Sequence, residues 1–124
     1  MIELMLVVVI LGLLARLVGN EFTTYIMRAK RTEAILGLGV VWSAQRTYLA
    51  DHGTYAPTFP VLSTFEVTGG QLVSPTEYRG RRYTYQLSQP WGPTSFYCIA
   101  TAQLDGDLWP DIVELYETPD GVNQ

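Results

Sequence analysis

One cysteine and one histidine are all that 124 residues supply of the two most versatile ligand-forming and nucleophilic side chains. A single cysteine excludes an intrachain disulfide. With one histidine and no glycine-rich phosphate loop, a catalytic triad, a zinc site or a nucleotide pocket lacks parts, so enzymatic function is not expected. Charge is missing altogether from Leu4 to Ala15 (LMLVVVILGLLA). Basic residues are missing from 105–124, which hold six acidic side chains for a net −6, whereas residues 28–82 hold seven basic and four acidic ones for a net +3. Repeats, low-complexity tracts and a separate second domain are absent too.

Glu3 stands at the head of the uncharged run. A carboxylate beside an apolar helix is costly, roughly 2.5–3.5 kcal/mol for Asp at the middle of a membrane helix. Ionisable groups in such segments usually have a partner and a function. The plainer reading is an N-terminal charge resting in a headgroup layer. As a membrane span the run is short, about 18 Å of helix against a hydrocarbon core of about 30 Å. Ile2, Leu17 and Val18 lengthen it, because Arg16 can snorkel its stem along apolar surface. As a secretory signal its length fits, but the residue in front is acidic and no small-x-small cleavage site follows. A buried core helix is a third reading on length alone.

What decides is the continuation. From Glu21 to Ala50 there is no proline and no turn cluster. Ala34, Leu38, Val41 and Tyr48 recur at helical spacing, with polar Gln45 filling the gap in the same stripe. Arg28, Lys30, Arg31, Glu33 and Arg46 supply a polar side. Asp51, His52 and Gly53 make a stop signal, and His52 suits the negative end of the helix dipole. The pattern predicts one helix from about residue 2 to residue 51, roughly 75 Å long. Gly12 and the Gly19-Asn20 pair are its weak points. Residues 1–20 are its apolar part, 21–52 its amphipathic part, and 53–124 a head domain. A soluble monomer cannot hide the first part.

The stretch IELMLVVVILGLLA, with NEFTTYIMRAKRTEA behind it, resembles the N-terminal helix of type IV pilins and their pseudopilin relatives, closest to the bacterial type IVa branch. The likeness is specific over about residues 2–34, looser through WSAQRTYLADHGTYAP, and beyond that touches only SFYCIATAQLDGD. It implies a subunit that waits in the inner membrane. The pilus assembly machinery, driven by an ATPase, would then extract it into a homopolymeric extracellular fibre cored by these helices. In the family the glutamate matching Glu3 pairs with the N-terminal amine of a neighbouring subunit, and a buried pair of that kind sets register more than it adds stability. Glu3, Gly12, Arg16, Gly19 and Asn20 are therefore the candidate assembly residues. Family fibres serve twitching motility, cell adhesion, DNA uptake or electron transfer, and their subunits are often methylated at the processed N-terminus.

The chain departs from the family in three places. Two residues precede Glu3 where the family has four, normally opening with phenylalanine. The basic leader ending in glycine is not present, so the resemblance implies further residues upstream of Met1. Asn20 stands where many members carry a proline eight residues after the glycine matching Gly12. The cluster Arg28, Lys30, Arg31 would by itself orient toward the cytoplasm. The family topology is the reverse, set by that leader.

For the head, an α+β fold is expected: a small antiparallel sheet packed on the C-terminal half of the long helix, the apolar half protruding. Tyrosine-rich strands suit rings that pack on a helix and turn their hydroxyls to water. Strands are predicted at 81–88, with Tyr83, Tyr85 and Leu87 on one face, at 95–103, with Phe96, Cys98, Ala100 and Ala102 on one face, and at 110–117. Segment 53–78, rich in proline and glycine, reads as mostly loop with a short strand near Phe65–Thr68. Cys98 reads as a small core residue.

Two clusters remain. Asp105, Asp107 and Asp111 in LDGDLWPD are candidate Ca2+ ligands, as in the major pseudopilins of type II secretion. Against this, Asp-Gly is a strong turn signal and three carboxylates fall short of the six to eight oxygens calcium takes. No cofactor is therefore the preferred reading. Arg79, Arg81 and Arg82, interleaved with Tyr78 and Tyr83, can form a surface basic patch able to meet nucleic acid. With net charge −4, a solvated strand start is the preferred account. Complementary patches can also orient subunits, the acidic C-terminal edge of one head facing Arg79–Arg82 of another. The first expectation is thus a type IV pilus subunit. Its rivals are a calcium-stabilised pseudopilin of a type II secretion system and a membrane-tethered binding module that never polymerises.

Overall fold

The computed structural model describes residues 1–67, 69–104, 109–118 and 121–123, with backbone alone for Asn20 and 121–123. One helix, α1, runs Ile2–His52. Six strands follow: β1 Gln71–Ser74, β2 Glu77–Arg79, β3 Thr84–Ser88, β4 Phe96–Ala102, β5 Asp111–Thr118 and β6 Gly121–Asn123. They form a single antiparallel sheet in the order β1-β2-β3-β4-β5-β6. The fold is α+β, and the chain divides into two compact units, Met1–Arg31 and Thr32–Gln124.

The first unit is helix alone. From Ile2 to Val18 every large apolar side chain is at least 47% exposed. The helix passes through Gly12 and through Gly19-Asn20 without a break, and the Thr23 hydroxyl donates to the Gly19 carbonyl at 3.2 Å. Backbone hydrogen bonding thus outweighs the glycine cost of about 1 kcal/mol at each weak point.

In the second unit the predicted stripe is the helix face that the sheet covers. Ala34, Leu38, Val41, Ala44 and Gln45 are buried, and Tyr48 packs at the edge of the same core. Helix α1 ends where the stop signal put it. Gly53 adopts φ 73°, a left-handed conformation that favours glycine, and its N–H donates to the Leu49 carbonyl at 2.8 Å.

Period-two alternation fixes the inner face of the sheet. Tyr85 and Leu87 of β3 and Phe96, Cys98, Ala100 and Ala102 of β4 are buried, with Tyr83 just ahead of β3. Val113 and Leu115 of β5 join them, opposite Ala100 and Cys98.

Segment 53–78 is mostly loop, with a 3-10 turn at Phe59–Val61 and, unforeseen, strand β1 and the start of β2. Two expectations are corrected. The expected short strand is absent at Phe65–Val67, and Thr68 lies outside the described residues. There Phe59, Phe65 and Tyr78 build an aromatic cluster with centroids 4.8–6.0 Å apart. Finally, several tyrosine hydroxyls turn inward rather than to water. Tyr78 donates to the Val67 carbonyl at 3.1 Å and Tyr85 to the Glu33 carbonyl at 3.4 Å. Ring burial supplies the driving force, and nearby carbonyls satisfy the polar tips.

Tyr85 also explains one helix glycine. A Cβ on Gly37 would collide with the Tyr85 ring, whereas a Cβ on Gly39 would meet nothing within 4 Å. Gly37→Ala should therefore cost about 1–3 kcal/mol by overpacking. Gly39→Ala should be neutral or stabilise by up to about 1 kcal/mol through helix propensity. Denaturant titration of the two variants in detergent checks the opposite signs.

Candidate functional site

Among the described residues the first unit carries a long run of exposed apolar side chains, Ile2 to Val18. Leu4–Ala15 carries no charge, and α1 is long and apolar enough to cross a membrane. Arg16 lies just past this run, and Glu3 opens it. The Glu3 carboxylate sits 3.4 Å from the Met1 amine, both exposed.

The arginines of the basic run separate. Arg79 ends β2, opposite Gln71 and Thr84, and is exposed, as is Arg81. Arg82 instead turns to the helix, its guanidinium 2.6 Å from the Glu33 carboxylate. It acts as a tether between sheet and helix beside the Tyr85 hydroxyl. Asp111 opens β5 opposite Ala102, half-buried, and the register sets it at the same end of the sheet as Arg79. Asp105 and Asp107 lie outside the described residues. Among the described residues no three His, Cys, Asp or Glu side chains converge as metal ligands.

A polar lock at the other end of the sheet went unread in the sequence. The Gln45 amide, fully buried, donates to the Ala56 carbonyl at 3.0 Å and accepts from the Ala56 N–H at 2.8 Å. That pins the chain just after it leaves the helix. Gln89 donates to the Tyr55 carbonyl at 2.8 Å, and the Tyr55 N–H reaches the Pro93 carbonyl at 2.8 Å. Arg46, next along the helix, lies 5.3 Å over the Trp42 ring and 3.5 Å from the buried Glu117 carboxylate. The signal was present: a glutamine inside an apolar stripe calls for a buried partner. Its partner, a backbone group eleven residues on, has no sequence mark.

Cys98 is fully buried, and burial pushes its thiol pKa up. It is a core residue, not a nucleophile. His52 stacks on Tyr48 with centroids 4.0 Å apart, its Nδ1 3.2 Å from the Tyr48 carbonyl. On the outer sheet face Tyr97 donates to Glu114 at 3.0 Å; burial first, then that carboxylate, raises its pKa.

The chain matches no protein-family model, no curated protein and no solved structure.

Two buried phenols set a pH dependence. Tyr85 is pushed up to about 12, chiefly by burial and then by the Glu33 carboxylate. Tyr55 is also pushed up to about 12, by burial and then by Glu117. Unfolded phenols ionise near 10. Between about pH 10 and 12 the unfolded chain has lost protons that the native one keeps, so stability falls as pH rises through that window. Tyr85→Phe should make this alkaline decline shallower while lowering stability at neutral pH by about 1 kcal/mol for the lost hydrogen bond. Denaturation followed across pH, with tyrosinate absorbance, reads both effects.

Proposed function

We propose that the chain is a structural subunit of a type IV pilin-class filament, held in a membrane by the first part of α1 and polymerising through it. One observation carries this reading: a single unbroken helix joins an apolar segment with no intramolecular cover to a segment that carries a compact sheet. Exposed apolar surface on this scale requires lipid or other copies of the chain, and a helix alone satisfies its backbone in either setting. The resemblance over residues 2–34 supplies the class, and the sheet domain would then form the fibre surface.

Mass spectrometry of fibres sheared from the source cells tests the proposal. Abundant chain with a processed, methylated N-terminal peptide is the expected result. Chain confined to the membrane fraction and dependent on calcium would instead indicate a secretion pseudopilin. An unprocessed chain that stays in the membrane would indicate a tethered module. Glu3→Ala should lower fibre yield at least about tenfold, a factor equivalent to about 1.4 kcal/mol, with membrane levels of the subunit unchanged. Unaltered yield would remove Glu3 from assembly.

A further inference from the structure

Past Val18 the helix of the first unit ceases to be apolar all round. At about 100° per residue, Phe22, Tyr25, Ile26 and Ala29 share one side of it. Phe22 and Tyr25 are 63% and 64% exposed. Arg28 and Lys30 flank that side, one at each edge, and Arg31 lies opposite it. Arg28 and Arg31 are exposed, and Lys30 is half-buried. Aromatic rings followed by long cationic side chains mark the passage of a helix from hydrocarbon into headgroups.

Length sets the depth of these residues. From Leu4 to Thr23 the helix covers about 30 Å, the thickness of the hydrocarbon core. Arg28 lies roughly 37 Å along the helix from Glu3, and a bilayer with its headgroups measures about 40–45 Å. With Glu3 in one headgroup layer, Tyr25 and Arg28 therefore reach the other. Arg16 and Glu21, the charges inside that length, both fall in the half nearer Arg28 and can snorkel toward the same layer.

Charge selects the lipid. Residues 21–31 hold three basic side chains and one acidic one, net +2, in a chain of net −4. A zwitterionic headgroup offers that cluster no net charge. An anionic one offers a phosphate that a guanidinium can take bidentately. The stretch 105–124, net −6, is repelled by the same lipid, so the chain as a whole is not drawn to it.

We propose that Arg28, Lys30 and Arg31 form a binding surface for the phosphates of anionic phospholipids, with Phe22 and Tyr25 seated at the tops of the adjoining acyl chains. The contact fixes the depth of the membrane-held chain and gathers anionic lipid around it. It rests on the membrane-held part of the reading above and does not require polymerisation. Within the filament reading that lipid is given up when the subunit leaves the bilayer, so membrane charge tunes how readily subunits are withdrawn.

The test uses the full chain, reconstituted from detergent into phosphatidylcholine vesicles with a trace of spin-labelled lipid. Phosphatidylglycerol and phosphatidylcholine, labelled at the same acyl position, are compared by the fraction of each that the protein immobilises. The expected result is a preference for phosphatidylglycerol of at least about fivefold, the factor for one basic side chain near an anionic surface. It should shrink toward parity in about 1 M salt, where the Debye length is about 3 Å. Arg28→Gln, Lys30→Gln and Arg31→Gln together should abolish it, whereas Arg79→Gln with Arg81→Gln in the second unit should leave it intact. An unsubstituted chain without the preference, or a preference that survives the triple replacement, overturns the lipid site and leaves the membrane-held reading standing. A chain that alkaline carbonate strips from the vesicles overturns both.

Discussion

The intrahelical hydrogen-bond ladder from Ile2 to His52 is the constraint on which everything else in this molecule depends. A helix satisfies its own backbone, so its side chains can be chosen without reference to any second element. The first unit uses that freedom: from Ile2 to Val18 its large apolar side chains are all exposed. The second unit uses the same ladder as a rod on which a sheet is hung. Packing there is confined to one stripe, Ala34 to Gln45, because a helix presents only one face to a sheet.

Beyond the shared apolar core, a few long-range polar contacts rather than a covalent staple attach the sheet to the rod. Glu33 with Arg82 holds one end, and Arg46 with Glu117 the other. Between them Gln45 fastens the departing chain at Ala56. A half-exposed ion pair stabilises by only about 0–1 kcal/mol. The buried amide contacts matter more, since losing them would leave two backbone groups unsatisfied at about 1–3 kcal/mol each. Tyr85 adds shape: its ring fits only where Gly37 leaves room, so sheet position along the helix is fixed by one ring and one absent side chain.

Much of this was legible in the residues. The helix, its end at Gly53 and its buried stripe follow from spacing, and so do the inner faces of β3 and β4. Strands β1 and β2 were not legible, because Gln71–Ser74 and Glu77–Arg79 are too short for alternation to show and sit among glycine and proline. Arg82 looked like a surface charge because its partner, Glu33, is forty-nine residues away. The outward apolar face of α1, exposed at Ile35, Leu36, Val40 and Trp42, was visible letter by letter. A second apolar stripe on one helix nevertheless reads as ordinary amphipathicity until the structure shows which stripe the sheet has taken.

The sheet is a simple meander in which each strand pairs with the next in sequence. Every strand pairing is therefore local, and loop-closure entropy rises only slowly with loop length. Such a sheet can be completed in the order in which the chain is synthesised. It needs no oxidation step, since its one thiol is enclosed in β4. Maturation of this head thus requires neither an oxidase nor a disulfide isomerase, and its rate is independent of the redox state of the compartment in which it folds.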